Sequence, residues 1–297
     1  MSEKKKKKTK EDLVARIRMI FGIIMLLSGM GIMSYPFVSN AVAERSATVA
    51  IQDYSNEVEA MGEEKIDAAK EAARAYNERL NTAVGQGDDE LAGKTYADII
   101  GIGESLGYIT IPKINVNLPI YEGSQSIILD KGVGHMSMTS YPIGGENTHC
   151  VLTGHRGLPK AVLFTDLDQL QIGDKFYLHT LDEVLAYRVD QIKVVLPEET
   201  SDLEIVEGED LCTLVTCTPY GINSHRLLVR GVRTEYTGAE EESEALIQYQ
   251  KLQTGTIVRR LLNIWPWMLL AILCIIGGEF LLMTLLIRRH RRRNRDD

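Results

Sequence analysis

The sequence predicts a mainly β protein, either a closed barrel or a sandwich, preceded by a helix and flanked by two membrane-spanning helices. Three observations support this prediction: short β-rich runs between residues 105 and 235, a helical repeat over 56–84, and two long apolar stretches near the chain ends. Of the 297 residues, 44% are hydrophobic and 25% are charged, which excludes a wholly disordered or collagen-like chain.

The first apolar stretch, residues 19–38, is 20 residues long and contains no charged side chain. A helix of that length spans about 30 Å, which is the thickness of the hydrocarbon core of a bilayer. Residues 1–18 form a basic tail with eight Lys or Arg and three acidic residues. The small residues at 39–43, SNAVA, leave a second interpretation open, in which the stretch is a cleaved signal peptide.

The second stretch, residues 263–287, contains a single charge, Glu279, and begins with Trp265 and Trp267, as a helix entering a membrane interface does. Residues 288–297 after it hold six Arg. Because basic residues favour the cytoplasmic side, both termini are expected in the cytoplasm and the intervening residues outside the cell membrane. The function of the intramembrane Glu279 is left open.

The charge distribution argues against a nucleic-acid-binding protein. The chain carries a net charge of -8, and residues 19–287 alone carry -17, so the body is acidic and the basic residues lie at the two ends. A nucleic-acid-binding domain needs its basic patch on the folded surface.

Between the two apolar stretches, the sequence divides into three parts. Residues 39–104 are expected to be an extracellular helical region, because apolar residues recur at helical spacing over 56–84 before a polar break at 85–94. Residues 105–235 hold the β-rich runs, separated by Gly-containing turns, and are expected to form one catalytic β domain. Residues 236–262 are expected to be an acidic tether to the second membrane segment.

Cys217 is the first candidate for chemistry. Cys150, Cys212 and Cys217 are an odd number of thiols outside the membrane segments, so at least one of them is unpaired within the chain. Cys212 and Cys217 lie five residues apart on one predicted strand, on opposite faces and roughly 16 Å apart, so they cannot bridge each other. Cys217 ends this strand and opens a loop, whereas the other two lie inside apolar runs and are expected to be buried.

A thiol is mostly protonated at neutral pH and needs a base or a cation beside it to act as a nucleophile. Arg226 follows Cys217 after a short loop, and the two would flank that loop if their strands form a hairpin; Arg226 could then stabilise an oxyanion. His155 lies at another strand end, and His135 and His225 remain alternatives on spacing alone. No Cys/His spacing typical of a metal site and no phosphate-binding glycine motif occurs, so neither a metal nor a cofactor is expected.

Four segments resemble the sortases, and in particular the class C, pilin-polymerising sortases of Gram-positive bacteria. They are TLVTCTPYGINSHRLLVRG at 213–231, THCVLTGHRGLP at 148–159, LFTDLDQLQIGDKFYL at 163–178 and GYITIPKINVNLPIYEG at 107–123. The resemblance covers about residues 50–235 together with the arrangement of two membrane spans. It implies a sortase-type eight-stranded β-barrel with short helices.

The resemblance also implies the reaction and its residues. Cys217 would be the nucleophile, His155 the general acid and base, and Arg226 the oxyanion and substrate clamp, while Thr216 and Thr218 would contact the substrate. The expected enzyme is a membrane-anchored cysteine transpeptidase that cleaves a Leu-Pro-x-Thr-Gly-type sorting signal between Thr and Gly. A thioacyl-enzyme would then pass the acyl group to a Lys of the next pilin subunit.

Several alternatives accompany this expectation. A related sortase function would attach surface proteins to peptidoglycan, with a wall-precursor amine as the acceptor. A non-catalytic, membrane-tethered barrel could act as a scaffold for pilus components, and a cysteine protease would use water in place of the amine. The expected partners are therefore pilins or surface proteins that bear a sorting signal, the membrane, and a peptidoglycan precursor in the second case, but no nucleic acid.

The sequence departs from class C in one place. Class C sortases usually carry a lid with an Asp-Pro-aromatic motif before the barrel, and none of the eight Pro residues here follows Asp. The lid is therefore either missing or built from other residues of 85–106, where Asp98 is a candidate. We therefore expect Cys217 to react readily with a small thiol reagent in the resting enzyme.

Overall fold

The computed structural model describes residues 2–83, 104–158 and 161–238. Residues 2–238 belong to one compact unit, and residues 239–297 form a second unit that lies outside the described part of the chain. The predicted second membrane segment 263–287, most of the tether 236–262 and the lid candidate Asp98 also lie outside the described residues.

Two helices precede the β domain. Helix α1 spans Ser2–Ala60 and helix α2 spans Glu63–Ala83. The helix predicted over 56–84 is thus interrupted at Met61 and Gly62, since glycine is a poor helix former and two acidic residues, Glu63 and Glu64, favour a new helix start by facing its positive end. Among the described residues, one helical stretch, Arg16–Ala60, is long and apolar enough to cross a membrane, and none of its apolar window is buried.

The residues of α2 that recur at helical spacing are buried against the barrel. Ala73, Tyr76 and Leu80 belong to the main hydrophobic core, and the ring centre of Tyr76 lies 4.4 Å from that of Tyr141. The side chain of Asn77 accepts a hydrogen bond from the Tyr141 backbone N–H at 2.8 Å and donates one to the Tyr141 carbonyl at 3.4 Å. A polar side chain thus fixes the position of α2 along the barrel, while the apolar contacts hold the helix on it.

The β domain is a closed, eight-stranded barrel within the described residues, which confirms the barrel and excludes the sandwich. Its strands are β1 (Ser105–Ile111), β2 (Val116–Glu122), β3 (Val133–His135), β4 (Thr148–Thr153), β5 (Lys175–Thr180), β6 (Glu183–Val195), β7 (Asp210–Thr218) and β8 (His225–Thr234). A short helix α3 spans Ser126–Leu129, and 3₁₀ helices span Pro112–Ile114, Leu167–Gln169 and Ser201–Leu203.

Around the barrel the strands follow the order β1-β2-β3-β4-β7-β8-β6-β5. The pairs β2–β3 and β4–β7 are parallel, and the other described pairs are antiparallel. The parallel pair β4–β7 is important for the site because it brings the ends of two strands that are distant in sequence to the same edge of the wall.

Alternate residues of the wall face two different apolar clusters. Cys150, Leu152, Cys212 and Leu214 belong to the main core inside the barrel, whereas Val151 and Val215 belong to a smaller cluster on the other face. Cys150 and Cys212 are register partners, buried and unbridged, and burial raises the pKa of the Cys212 thiol well above its usual value. These two cysteines therefore have the buried environment that the sequence predicts for them.

Candidate active site

Cys217 and Arg226 are cross-strand partners. Strand β7 ends at Thr218 and strand β8 begins at His225, and the antiparallel register places the Cα of Cys217 opposite that of Arg226. The hairpin predicted from the short loop is thus confirmed. Residues opposite each other in such a pair project their side chains from the same face of the sheet. The Nη1 of Arg226 donates to the carbonyls of Asn223 at 3.2 Å and His225 at 3.0 Å, which holds the guanidinium at the start of β8.

His155 reaches the same edge from the other side of β7. The parallel register of β4 and β7 ends at Thr153 opposite Val215, and the Gly154 N–H still donates to the Val215 carbonyl at 3.0 Å. His155 lies two residues after Thr153, and Cys217 lies two residues after Val215, so both follow the same end of this pairing. The Phe164 N–H donates to the His155 carbonyl at 3.1 Å and fixes the backbone there. The structure therefore brings residues of three strand ends together around Cys217.

An apolar strip continues from this edge along the outer face of the wall. It consists of Val151, Val215 and Leu228, which are buried, with Met136, Val195 and Leu203 packed over them. Alternation along β7 places Cys217 on the same face as Val215, and alternation along β8 places Arg226 on the same face as Leu228. Cys217 itself is only partly buried. The thiol thus stands at the end of an apolar strip, outside the barrel core.

The loop between β6 and β7, residues 196–209, is held over this strip by polar contacts on both sides. The Asp202 carboxylate accepts from Lys193 and from Gln191 of β6. The His149 Nδ1–H donates to the Glu204 carbonyl at 2.7 Å, which leaves Nε2 to accept from the Thr213 hydroxyl at 2.7 Å. Leu203, between these two anchors, packs onto the apolar strip. This loop therefore forms a fixed wall beside the candidate site.

The pKa values in this loop follow from its contacts. The hydrogen bond from Lys193 holds the pKa of Asp202 below its usual value, so this carboxylate is charged at neutral pH. Burial lowers the pKa of His149, which therefore remains a neutral imidazole with one donor and one acceptor nitrogen. Sequence analysis did not identify these anchors, because the contacts join residues of different elements.

The structure gives the two threonines beside Cys217 contacts within the protein. Thr216 is 1% exposed, and its hydroxyl donates to the Gly154 carbonyl at 2.7 Å. A direct contact between the Thr216 side chain and a substrate, as expected from the sequence, is therefore not supported. Thr218 is partly exposed, and its hydroxyl accepts a hydrogen bond from the Arg156 guanidinium at 3.1 Å.

The alternative histidines occupy other positions. His135 is 1% exposed and stacks at 5.2 Å on Tyr141, and burial lowers its pKa to about 4. His225 is the register partner of Thr218, and its Nδ1 lies 2.8 Å from the Ser224 hydroxyl. Neither histidine lies on the outer face of the barrel wall, where Cys217 lies.

His149 and Cys150 are a second imidazole and thiol that are adjacent in sequence, but their geometry does not suit a nucleophile and its base. Successive residues of a strand project to opposite faces, and here the imidazole binds Thr213 while the thiol lies in the barrel core. Both side chains are buried, at 1% and 2% exposure. Among the described side chains, no group of three or more His, Cys, Asp or Glu is placed to hold a metal ion.

Comparison with known proteins assigns the chain to a family. Residues 109–234 match the family model of the sortase domain. The solved structure of sortase C1 of GBS pilus island 1 is 45% identical in sequence, with a TM-score of 0.60, and the match covers 64% of this chain and 100% of that one. The chain belongs to the sortase family. It is therefore an enzyme of the cysteine transpeptidase type.

Other similar structures are also class C sortases. Sortase C of Clostridium perfringens, solved with the C-terminal cell wall sorting motif, is 47% identical with a TM-score of 0.58, and the match covers 64% of this sortase and 100% of that chain. Sortase C-1 of Streptococcus pneumoniae is also 47% identical, with a TM-score of 0.58 and coverage of 63% and 99%.

Curated relatives include sortases of other classes. Sortase D of Bacillus subtilis is 34% identical over 134 residues, which are 44% of this sortase and 65% of that protein's length. Sortase A of Bacillus anthracis is 28% identical over 224 residues, with coverage of 73% and 94%.

Proposed function

We propose that Cys217 is the nucleophile of a transpeptidation, that His155 is its general base and acid, and that Arg226 stabilises the oxyanion. The observation that carries this proposal is the register of three strand ends: Arg226 lies opposite Cys217 in β8, and His155 follows the β4 residues that pair with β7. A thiol between an imidazole and a guanidinium has both the proton acceptor and the anion stabiliser that acyl transfer requires.

The reaction has two steps, acylation of Cys217 and transfer of the acyl group to an amine. The thiolate of Cys217 attacks the carbonyl carbon of the substrate Thr, the Thr–Gly amide bond breaks, and the imidazolium of His155 donates its proton to the leaving Gly amine. An amine of the acceptor then attacks the thioester carbonyl, His155 takes a proton from that amine, and the thiolate leaves. The amide bond is thereby exchanged for another amide bond, and no cofactor is needed.

The apolar strip supports a sorting signal of the Leu-Pro-x-Thr-Gly type as the substrate. An extended segment whose Thr carbonyl meets Cys217 would lay its preceding residues beside the partly buried side chains over this strip, Met136, Val195 and Leu203. Apolar Leu and Pro side chains gain free energy when such a surface removes them from water. Similarity to Clostridium perfringens sortase C, solved with a C-terminal cell wall sorting motif, supports the same class of substrate.

We propose pilus assembly as the biological setting, with a Lys amine of the next pilin as the acceptor. The similarity to sortase C1 of GBS pilus island 1 supports this choice. The apolar part of α1 would anchor the enzyme in the cell membrane, with the barrel outside and both termini in the cytoplasm. In the domain organisation that we propose, residues 39–104 and 236–262 connect the barrel 105–235 to the two membrane segments.

Mass spectrometry of the full-length enzyme after incubation with sorting-signal peptides tests the nucleophile. We expect an acyl adduct on Cys217 that ends at Thr, and release of the peptide that begins with Gly. Cys217→Ala should abolish the adduct. Cys150→Ala removes a buried thiol and should retain it, and an adduct that persists in Cys217→Ala would overturn the proposal.

The acceptor is tested on the same adduct. Purified pilin should resolve it into a covalent pilin ladder that contains a Lys isopeptide bond. If only a peptidoglycan-precursor amine resolves it, the enzyme attaches proteins to the wall, and if only water does, it is a protease. A chain that forms no adduct with any signal peptide would support the non-catalytic scaffold.

A further inference from the structure

Arg156 is a charged side chain enclosed between two loops of the site. Its side chain is 8% exposed. Nη1 donates to the Thr218 hydroxyl at 3.1 Å, and Nη2 forms an ion pair with the Asp168 carboxylate. The guanidinium also lies over the ring of Tyr220, with Cζ 6.0 Å from the ring centre. A guanidinium removed from water to this extent depends on such contacts to offset its lost hydration, so its position is closely defined.

These contacts connect the chain after His155 to the chain after Cys217. Arg156 follows His155 directly, and Thr218 follows Cys217 directly. Regular pairing of β4 with β7 ends at Thr153, and the last backbone hydrogen bond between the two runs from Gly154. Beyond that point, the bond from Arg156 to Thr218 is a described side-chain link between the two segments.

The ion pair with Asp168 extends this link to a 3₁₀ helix. Asp168 belongs to the 3₁₀ helix Leu167–Gln169, in which Leu167 is fully buried in the core. The Arg156 ion pair therefore anchors the loop after β4 to the barrel core through Asp168. Through this ion pair, the barrel core fixes the position of the loop that carries His155.

We propose that Arg156 is a positioning residue that sets the distance between the His155 imidazole and the Cys217 thiol. The inference rests on the proposed function, in which the His155 imidazole exchanges protons with the Cys217 thiol and the distance between them affects the rate. Arg156 acts through its neighbours and does not contact the substrate. Two separate nitrogens of one planar group serve two partners, a geometry that the single ammonium of lysine does not supply.

The Nε of Arg156 also indicates a role other than stabilising the fold. It is buried and has no hydrogen-bond partner within the described residues. A buried donor without a partner destabilises the folded protein, because its lost hydration is not replaced. An ion pair that served stability alone would not require this cost, whereas a guanidinium that must reach both Thr218 and Asp168 has its Nε direction fixed by those two contacts.

The test compares Arg156→Met, Arg156→Lys and His155→Ala with the unchanged full-length enzyme. Two rates are measured: acylation by a sorting-signal peptide, and alkylation of Cys217 by iodoacetamide as a function of pH, with the modified peptide identified by mass spectrometry. We expect Arg156→Met to slow acylation by about 10- to 100-fold through kcat, with KM little changed, because small misplacements of reacting groups have effects of this size.

The pH profile of alkylation reports on the imidazole–thiol pair directly. In Arg156→Met this profile should move toward that of His155→Ala, and in the His155→Ala background Arg156→Met should have no further effect. Arg156→Lys should recover only part of the acylation rate. An unchanged profile, full recovery with lysine, or equal effects of Arg156→Met with and without His155 would each overturn the positioning role.

Lys70→Met is the matched control for loss of a partly buried cation that forms ion pairs. The Lys70 side chain is 13% exposed and pairs with Asp182 and Glu183 at the start of β6, at the barrel end away from Cys217. This variant should lose thermal stability while keeping the pH profile, and a shifted profile would overturn the proposal. Acylation that survives Cys217→Ala would instead refute the proposed function, so the two failures are distinguishable.

Discussion

Gly154 separates the last paired residue of β4 from His155, and the space around it admits no side chain. A Cβ built on Gly154 would lie 2.7 Å from Cδ2 and 2.8 Å from Cγ of Phe164, whose ring is fully buried. Such a contact forces either the ring or the backbone to move. Since Phe164 also binds the His155 carbonyl, the displacement would reach the imidazole.

We therefore expect Gly154→Ala to lower kcat/KM for a sorting-signal peptide by about 10- to 100-fold and to lower the free energy of unfolding by about 1–3 kcal/mol. Enzyme assays and chemical denaturation measure the two effects. Gly231→Ala is the control, because its Cβ would meet Phe176 at 2.7 Å in the same core. A similar loss of activity per folded molecule in the control would mean that position 154 has no special relation to His155.

His135 should make the stability of the protein depend on pH. Burial lowers its pKa to about 4 in the folded state, from about 6.5 in the unfolded chain. Between these values the unfolded chain binds the proton more tightly, so this contribution to stability is complete above pH 6.5 and is lost as the pH falls toward 4. The expected loss is of the order of 3 kcal/mol.

Chemical denaturation at pH 7 and at pH 4.5 measures this effect. His135→Gln removes the titrating group and should show a smaller difference between the two pH values than the unchanged enzyme. His149 and Asp202 also have lowered pKa values and contribute in the same direction, so the comparison with the variant isolates His135. Equal pH dependence in both proteins would show that His135 does not titrate in this range.

Among the elements, the loop 196–209 is the one that the site depends on most directly. Its contacts with Lys193 and His149 hold Leu203 on the apolar strip formed by Val151, Val215 and Leu228. In the proposed function, this strip and loop bind the residues of the signal that precede the cleaved bond. Interactions of that kind contribute to binding of the substrate and the transition state alike.

Leu203→Ala should accordingly raise KM for the signal peptide by about 5- to 30-fold, the equivalent of about 1–2 kcal/mol of lost apolar contact, with kcat nearly unchanged. Steady-state kinetics gives both constants. Val206→Ala, in the same loop but 43% exposed, should leave both constants unchanged. A loss confined to kcat in Leu203→Ala would place the loop in the chemical step and contradict the binding role.

The elements also mark the limit of prediction from the sequence. Short β-rich runs between Gly-containing turns predicted the strands, and the short loop predicted the hairpin that sets Arg226 opposite Cys217. His155 could not be selected among the histidines by spacing, because it meets β7 through a parallel pairing between strands far apart in the chain. The anchors Arg156 and His149 were missed for the same reason: their partners Asp168, Thr218 and Glu204 lie on other elements.

At the scale of the whole molecule, α1 connects an apolar surface to the barrel. Its large apolar side chains from Ile17 to Tyr35 are exposed, whereas Tyr54 and Val58 near its end are buried. The Tyr54 hydroxyl accepts a hydrogen bond from the Leu181 N–H at 2.7 Å. The chain that we propose to lie in the bilayer is thus continuous with a helix end packed against the catalytic domain.

Residues 1–238, which contain α1 and the barrel but not the predicted second membrane segment, are expressed for comparison with the full chain. In residues 1–238, replacing both Leu26 and Leu27 by Arg should move the protein out of the membrane fraction. Each Arg near the centre of a membrane helix costs about 2.5–3.5 kcal/mol. Val49→Arg, on an exposed position of α1 beyond the apolar stretch, is the control and should remain membrane-bound. Unchanged partitioning of the double variant of residues 1–238 would mean that α1 does not anchor the enzyme.

The Cys217 thiol, the proposed nucleophile, lies on the outer face of the barrel wall, and the lumen is filled by the side chains of the main core. A polypeptide that lies along an external surface does not have to be threaded or unfolded. A fully folded protein could therefore present only a short extended tail, and bulky cargo on either partner would remain in free solution during the exchange. The position of the Cys217 sulfur atom would then allow the enzyme to accept large substrate proteins that are already folded.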